Sequence, residues 1–189
     1  AAAHGDVKAV LALTSGVVKA TITGTTLNNF IGDGTTGTLG ASLIETGNDL
    51  TLSVTNNGEM SASQLKTLDE STTGLVTLSQ VAGNKAVVGD IADIKALYAS
   101  SKLTTSPGIA GLTDAKLTIN DGVLTATGVT PGTGVISAAD LKQLNLDTTG
   151  AITLGDNVTE LTGLHADIAD VFAAEGGNGL VDGTLDARA

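Results

Sequence analysis

An internal repeat is the feature of this sequence that most limits its fold. The segment Met60–Leu78 returns as Ile136–Leu154, with an offset of 76 residues that is kept without a gap. Apolar residues fall on apolar residues, and the triplet Thr-Thr-Gly falls on Thr-Thr-Gly. Repetition at a fixed period marks an architecture in which each unit buries its apolar face against the next one. The repeat therefore predicts a structural or binding array, and it names no ligand.

Further matches extend the repeat on both sides. Asp90–Tyr98 matches Asp167–Ala173 at an offset of 77 residues, and Asp6–Ala12 matches Asp93–Ala99 at an offset of 87. The chain then opens on the tail of a preceding repeat, as an excised piece of a longer protein would. We expect three regions: the end of a preceding repeat with a strand and turn region at 1–47, repeat one at 48–112 and repeat two at 113–189.

Each repeat contains two short helical patterns. In the first, Ser61 or Ser137 is a suitable N-cap with a polar residue three positions later, as in a capping box. The helix should end at the Thr-Thr-Gly triplet, where Gly74 or Gly150 can take a positive φ. The second pattern carries an apolar stripe on one helical face. The stripe residues are Ile91, Ile94, Leu97 and Tyr98 in one copy and Leu164, Ile168, Val171 and Phe172 in the other.

Between the helical patterns lie short runs in which Thr or Ser alternates with aliphatic residues, as in half-buried strands. The turn sequence Asn120–Gly122 between two of these runs predicts a hairpin. Taken together, the patterns predict a mixed α/β repeat, a solenoid-like stack of short strands and short capped helices that is predominantly β. The strand runs are 17–23, 50–54, 75–78, 116–119, 123–126 and 151–154.

Composition limits the partners of the chain. Hydrophobic residues make up 41% and aromatic residues only 2%, so the core must consist of small aliphatic side chains, which suit thin stacked layers. The formal net charge is −11, and no basic cluster occurs. Because phosphate binding requires Lys and Arg, neither nucleic acid nor an anionic membrane surface is an expected partner. The longest uncharged apolar runs fall well short of the roughly 20 residues that span a bilayer, so no membrane insertion is expected.

The sequence carries no catalytic signature. Its lack of cysteine excludes disulfides and Cys-ligated zinc. Gly32–Gly37 fits the letters of a dinucleotide fingerprint, but it lacks the strand and helix context, and its Thr-Thr-Gly is better interpreted as another turn of the repeat. His4 and His165 stand far apart, whereas metal and catalytic centres need several converging groups. We therefore expect a protein that is not an enzyme, with no catalytic or cofactor-binding residues.

Calcium is the one ion for which the sequence supports a hypothesis. Asp, Asn and Gly mix in several tight turns, and hard oxygen ligands suit this cation. The segment Gly176–Gly183 approaches the calcium repeat of secreted β-rolls, although Val181 occupies the position of its Asp. Two interpretations stay open: solvated turns that bind nothing, or calcium sites with the candidate ligands Asp121, Asp156 and Asp182.

The capped helix, the Thr-Thr-Gly turn and the Asp-Ile-Ala-Asp motif together resemble the long tandem repeats of giant cyanobacterial cell-surface proteins. Similar repeats occur in virion fibre proteins of phages that infect such cells. The resemblance implies an exported, acidic surface or adhesive module without catalytic residues. It rests on Met60–Leu78 with Asp90–Ala99, and on Ile136–Leu154 with Asp167–Ala173.

Three hypotheses about function follow. The first is a non-enzymatic structural or adhesive repeat module of a large secreted or cell-surface protein. Its partners would be neighbouring repeats, copies of itself or surface polysaccharide. The second is a virion structural protein, such as a phage fibre or decoration subunit. The third, a carbohydrate-active module, is disfavoured by the low aromatic content, because Trp and Tyr commonly line binding sites.

Overall fold

The structure is a computed structural model, and it describes residues 4–11, 13–14, 16–31, 48–55, 58–79, 85–101, 108–120, 122–125, 128–131 and 134–173. The helices of this part are α1 (His4–Leu11), α2 (Leu27–Ile31), α3 (Ala62–Glu70), α4 (Ile91–Ser101), α5 (Ala138–Asp147) and α6 (His165–Ala173). Its strands are β1 (Lys19–Thr25), β2 (Asp49–Val54), β3 (Glu59–Ser61), β4 (Leu75–Leu78), β5 (Ala86–Gly89), β6 (Gly108–Ala110), β7 (Lys116–Ile119), β8 (Gly122–Thr125), β9 (Gly128–Pro131), β10 (Val135–Ser137), β11 (Ile152–Leu154) and β12 (Glu160–Thr162).

Helices α3 and α5 begin where the sequence predicts. The hydroxyl oxygen of Ser61 accepts a hydrogen bond from the backbone N–H of Gln64, and that of Ser137 accepts one from Asp140, at 3.4 Å in both cases. Both serines have the extended backbone of an N-cap. The predicted capped helices are therefore confirmed, and they bury Leu65 and Leu68 in α3 and Leu141 and Leu144 in α5.

The strands pair in parallel in three sheets. The order is β1-β2-β4-β6 in sheet I, β3-β5-β7-β11 in sheet II and β10-β12 in sheet III. In sheet II, Val87 of β5 lies opposite both Met60 of β3 and Leu117 of β7, and Leu117 also lies opposite Ile152 of β11. Sheet II thus joins two strands around the first copy of the repeat to two strands around the second. The described part is a mixed α/β fold with parallel sheets and no closed barrel.

The predicted hairpin at Asn120–Gly122 is wrong. The sequence predicts that Lys116–Ile119 pairs with the run that begins at Val123. Instead, β7 has parallel neighbours on both sides, β5 and β11, so neither of its edges can accept the following strand. Strand β8 pairs antiparallel with β9.

Aliphatic side chains from the sheets and helices form one contiguous buried cluster in the described part of the chain. Along β2 and β4, buried residues alternate with half-buried ones, as the period of two in a strand requires. The predicted inward-facing residues all belong to this cluster, which confirms that strands and helices share one core: Leu65, Leu68, Val76, Leu78, Leu141, Leu144, Ile152 and Leu154.

The second helical stripe is confirmed in α4 but is wrong in part in α6. In α4 its residues are buried or half-buried. In α6, Val171 is buried, but Leu164 and Phe172 are 74% and 37% exposed. Leu164 precedes the helix, which begins at His165. Phe172 is exposed because α4 packs between two helices and against β6, whereas α5 is the helix beside α6 in the described part.

The expectation that strands predominate is not met. Helix α4 has 11 residues and α5 has 10, while most strands have three or four. Helical residues are therefore at least as numerous as strand residues in the described ranges. The reason is that each capped helix runs for more than two turns before its chain returns to a sheet.

Candidate functional site

The Thr-Thr-Gly triplet of the first copy ties successive strands together. The hydroxyl oxygen of Thr72 lies 3.0 Å from the carbonyl oxygen of Asn48 and 2.9 Å from that of Leu50, so it can donate to either. It also accepts hydrogen bonds from the backbone N–H groups of Leu50 at 2.8 Å and Gly74 at 3.0 Å. One buried hydroxyl thereby satisfies the backbone of two chain segments that would otherwise lie buried without partners.

The triplet of the second copy makes matching contacts. The hydroxyl oxygen of Thr148 lies 3.2 Å from the carbonyl oxygen of Thr113 and 2.9 Å from that of Ala115. It accepts a hydrogen bond from the backbone N–H of Gly150 at 3.0 Å. Thr148 is as buried as its counterpart Thr72, at 5% and 4% exposure. We call Thr72–Gly74 and Thr148–Gly150 the triplet junctions.

The glycine of each junction is required by a close approach of two backbones. A Cβ atom on Gly74 would lie 2.2 Å from the carbonyl oxygen of Leu50, and one on Gly150 would lie 2.1 Å from that of Ala115. Neither glycine has a positive φ, so the conformational reason expected from the sequence is wrong. Sequence reasoning took the triplets for turns and missed their contacts, although their repetition at one offset was the available signal.

Lysine and aspartate side chains connect the helices at their surface. Lys66 of α3 lies 3.0 Å from Asp93 of α4, and Lys95 of α4 lies 2.6 Å from Asp140 of α5. The hydrogen bond that Lys66 donates to Asp93 raises the pKa of Lys66 above its usual value. These pairs link each helix to the next one along the stack.

The last helix pair has a double contact of the same kind. Lys142 of α5 lies 2.8 Å from Asp167 and 2.7 Å from Asp170, both on α6. The hydrogen bonds that Lys142 donates to them raise its pKa above the ordinary lysine value. The few cations of this acidic chain are thus placed where helices meet, and we call these contacts the Lys–Asp ladder.

The structure does not bring the candidate calcium ligands together. Asp156 is exposed in the turn after β11, whereas Asp121 and Asp182 lie outside the described residues. No group of three or more His, Cys, Asp or Glu side chains that could hold a metal ion occurs in the described part. His165 is exposed at the first position of α6. The calcium hypothesis therefore stays a prediction.

An open groove of about 200 Å³ lies between α1 and β1. Four of its six lining residues are aliphatic, and the other two are Asp6 and Lys19. Lys19 is already paired with Asp49, at 2.6 Å. The groove brings together no nucleophile with a base, so its arrangement offers apolar contact and no recognisable chemistry. Its lining residues are Asp6, Val7, Val10, Val18, Lys19 and Ala20.

Comparison with protein-family models, with curated proteins and with solved structures finds no match for this chain. None of the described helices is both long enough and apolar enough to cross a membrane. The repeated contacts within the chain are therefore the basis on which its function can be argued.

Proposed function

We propose that this chain is a non-enzymatic structural or adhesive repeat module of a large secreted or cell-surface protein. The single observation that carries the proposal is the agreement between the two triplet junctions. Residues 76 apart in sequence bury the same hydroxyl against the same two carbonyl positions. A chain that repeats its internal joints in this way is built to be extended along one direction.

The proposed architecture is a solenoid in which each copy adds strands to the sheets of the copy before it. Sheet II supports this architecture because it contains strands from both copies in one parallel order. The Lys–Asp ladder supports it because the contact between α4 and α5 uses the same residue types as the contacts within each copy. The partners of such a module are neighbouring repeats.

The acidic surface fits an exported protein better than one that binds polyanions. With a net charge of −11, the chain would repel nucleic acid and anionic lipid, and its ladder already occupies lysines that could contact phosphates. A surface without a free basic patch suits a spacer or stalk between other functional parts. Surface polysaccharide and calcium remain proposed ligands of this module.

The architecture is tested by inserting one more period. A copy of residues 60–135 inserted between Val135 and Ile136 adds one 76-residue period and keeps every junction in phase. In a solenoid, each repeat is stabilised by its neighbours, so the longer protein should unfold in one transition at a higher temperature with a larger denaturant m-value. Circular dichroism during thermal and urea unfolding measures this.

A control insertion of residues 60–97, half a period, places every following junction out of phase and should lower the melting temperature. If the full-period insertion melts as two separate transitions, or no better than the half-period one, the solenoid is wrong. The location is tested by protease treatment of intact cells of the source organism. Peptides of this segment should be released before lysis, and their release only after lysis would contradict a surface role.

A further inference from the structure

An aromatic side chain is exposed at the end of the described chain where its counterpart is buried. Tyr98 and Phe172 each lie seven positions after the first residue of their helices, α4 and α6. Both helices follow strands that occupy matching places, since Val87 lies opposite Met60 as Leu161 lies opposite Ile136. The following paragraph shows what covers the first of these aromatic rings.

Tyr98 is covered by the chain that follows α4. It is 2% exposed, whereas Phe172 is 37% exposed. The hydroxyl of Tyr98 donates a hydrogen bond of 2.9 Å to the carbonyl oxygen of Leu112, and α4 packs against β6. The segment from Gly108 to Ala115 thus closes the first copy of the repeat. The described residues provide no such segment beside Phe172.

The strand edge next to this position is also open. Strand β4 pairs with β2 on one side and with β6 on the other, with Val76 opposite Ile109 and Thr77 opposite Ala110. Strand β11 is the repeat of β4 and pairs with β7 on one side. In the described part of the chain no strand lies on its other side. An unpaired edge is a template for a further strand.

The sequence of the closing segment occurs a second time. Gly108-Ile109-Ala110-Gly111, followed two residues later by Asp-Ala, returns as Gly179-Leu180-Val181-Asp182-Gly183, again followed two residues later by Asp-Ala. Asp182 is the one extra residue. Six residues connect the end of α4 to the first segment, and five connect the end of α6 to the second. The chain therefore has the length to return to the same relative position.

We propose that the open edge of β11, together with the exposed side of Phe172, is a docking site for the segment 179–187 of the same chain. The expected register is parallel, with Leu180 opposite Ile152 and Val181 opposite Thr153, as in the pairing of β6 with β4. The proposal rests on the repeating arrangement inferred above. It gives the Asp182 region a structural role that is independent of calcium.

Disulfide cross-linking tests this register, because the chain contains no cysteine of its own. The test variant is Thr153→Cys with Val181→Cys. The matched control is Thr77→Cys with Ala110→Cys, a pair that the structure places opposite each other. The off-register control is Thr153→Cys with Thr184→Cys. Cross-link formation under mild oxidation is followed by thiol alkylation and mass spectrometry, and non-reducing electrophoresis separates links within a chain from links between chains.

The test pair should form an intramolecular disulfide as fast as the matched control and about tenfold faster than the off-register pair, since bridging requires closely placed Cα atoms. Equal rates for the test and off-register pairs would overturn the proposal. So would links between chains, because a second copy would then occupy the edge. If the matched control fails to cross-link while the test pair links, the docking stands and the repeating arrangement of sheet I is wrong. Failure of both pairs overturns both.

Discussion

The hydroxyl of Tyr98 donates a hydrogen bond of 2.9 Å to the carbonyl oxygen of Leu112, and both residues are buried. This bond joins the helix of the first copy to the segment that leads into the second. Burial raises the pKa of Tyr98 to about 12. The phenol therefore stays protonated in the folded state at pH values where an unfolded tyrosine ionises.

This shift predicts how stability depends on alkaline pH. A free tyrosine has a pKa of about 10, so the stabilisation is complete below that pH and is lost as pH rises through the folded value of about 12. The loss should reach about 2–3 kcal/mol. Tyr98→Phe cannot ionise, so it should lose less stability between pH 9 and 11.5, although at pH 7 it should be weaker by about 1 kcal/mol. Urea unfolding of both proteins measures this, and the lysines common to both cancel in the difference. Parallel pH profiles would contradict the assignment.

The glycines of the triplet junctions should not tolerate a side chain. Gly74→Ala and Gly150→Ala would each place a methyl group against a backbone carbonyl, so we expect each to cost more than about 2 kcal/mol. Gly16→Ala is the matched control, because a Cβ atom there meets its nearest neighbour at 3.4 Å, an ordinary contact. Its effect should be within about 0.5 kcal/mol. Chemical denaturation gives the three values, and equal losses at all three positions would mean that the backbones do not approach as described.

Helix α5 should lose stability only on its inner face. Leu141 is fully buried in the common core, so Leu141→Ala should cost about 2–5 kcal/mol through the cavity that it leaves. Leu146 lies on the same helix and is 76% exposed, so Leu146→Ala should change the free energy of unfolding by less than about 0.5 kcal/mol. A small loss at Leu141 would show that the helix does not pack on the sheets.

Ions should stabilise the protein, and their identity distinguishes two mechanisms. The net charge of −11 predicts that screening by salt raises the melting temperature. Specific calcium sites would add a further term that grows with calcium concentration. Thermal unfolding in calcium, magnesium and sodium at matched ionic strength separates the two effects, with Asp156→Asn as the variant. If calcium stabilises no more than magnesium, or if Asp156→Asn retains the whole difference, Asp156 is not a ligand.

Local chemistry made part of the fold predictable from the sequence. The caps at Ser61 and Ser137 are decided by residues within one turn, so the helix starts were predicted correctly. The core positions followed from the periods of helix and strand. The pairing of β7 could not be predicted in this way, because the Asn-Asp-Gly turn favours a hairpin locally while strands distant in sequence already occupy both edges of β7.

The candidate site was less predictable than the fold, for a related reason. The role of Thr72 depends on carbonyl groups more than 20 residues earlier in the chain, so no local pattern reveals it. The need for Gly74 likewise comes from a backbone that approaches from another strand. The exposure of Phe172 could not be foreseen, because an apolar stripe shows which residues prefer burial and does not show whether a neighbour is present to bury them.

Sheet II gives the proposed stalk a mechanical property. Because strands of both copies share one hydrogen-bonded sheet, no flexible joint separates β5 from β7, and one copy cannot rotate against the other without breaking that ladder. Tension along the stack would have to peel strands away one after another, whereas a string of separate domains yields first at its linkers. A tether of this design would hold whatever it carries at a fixed distance and a fixed angular orientation.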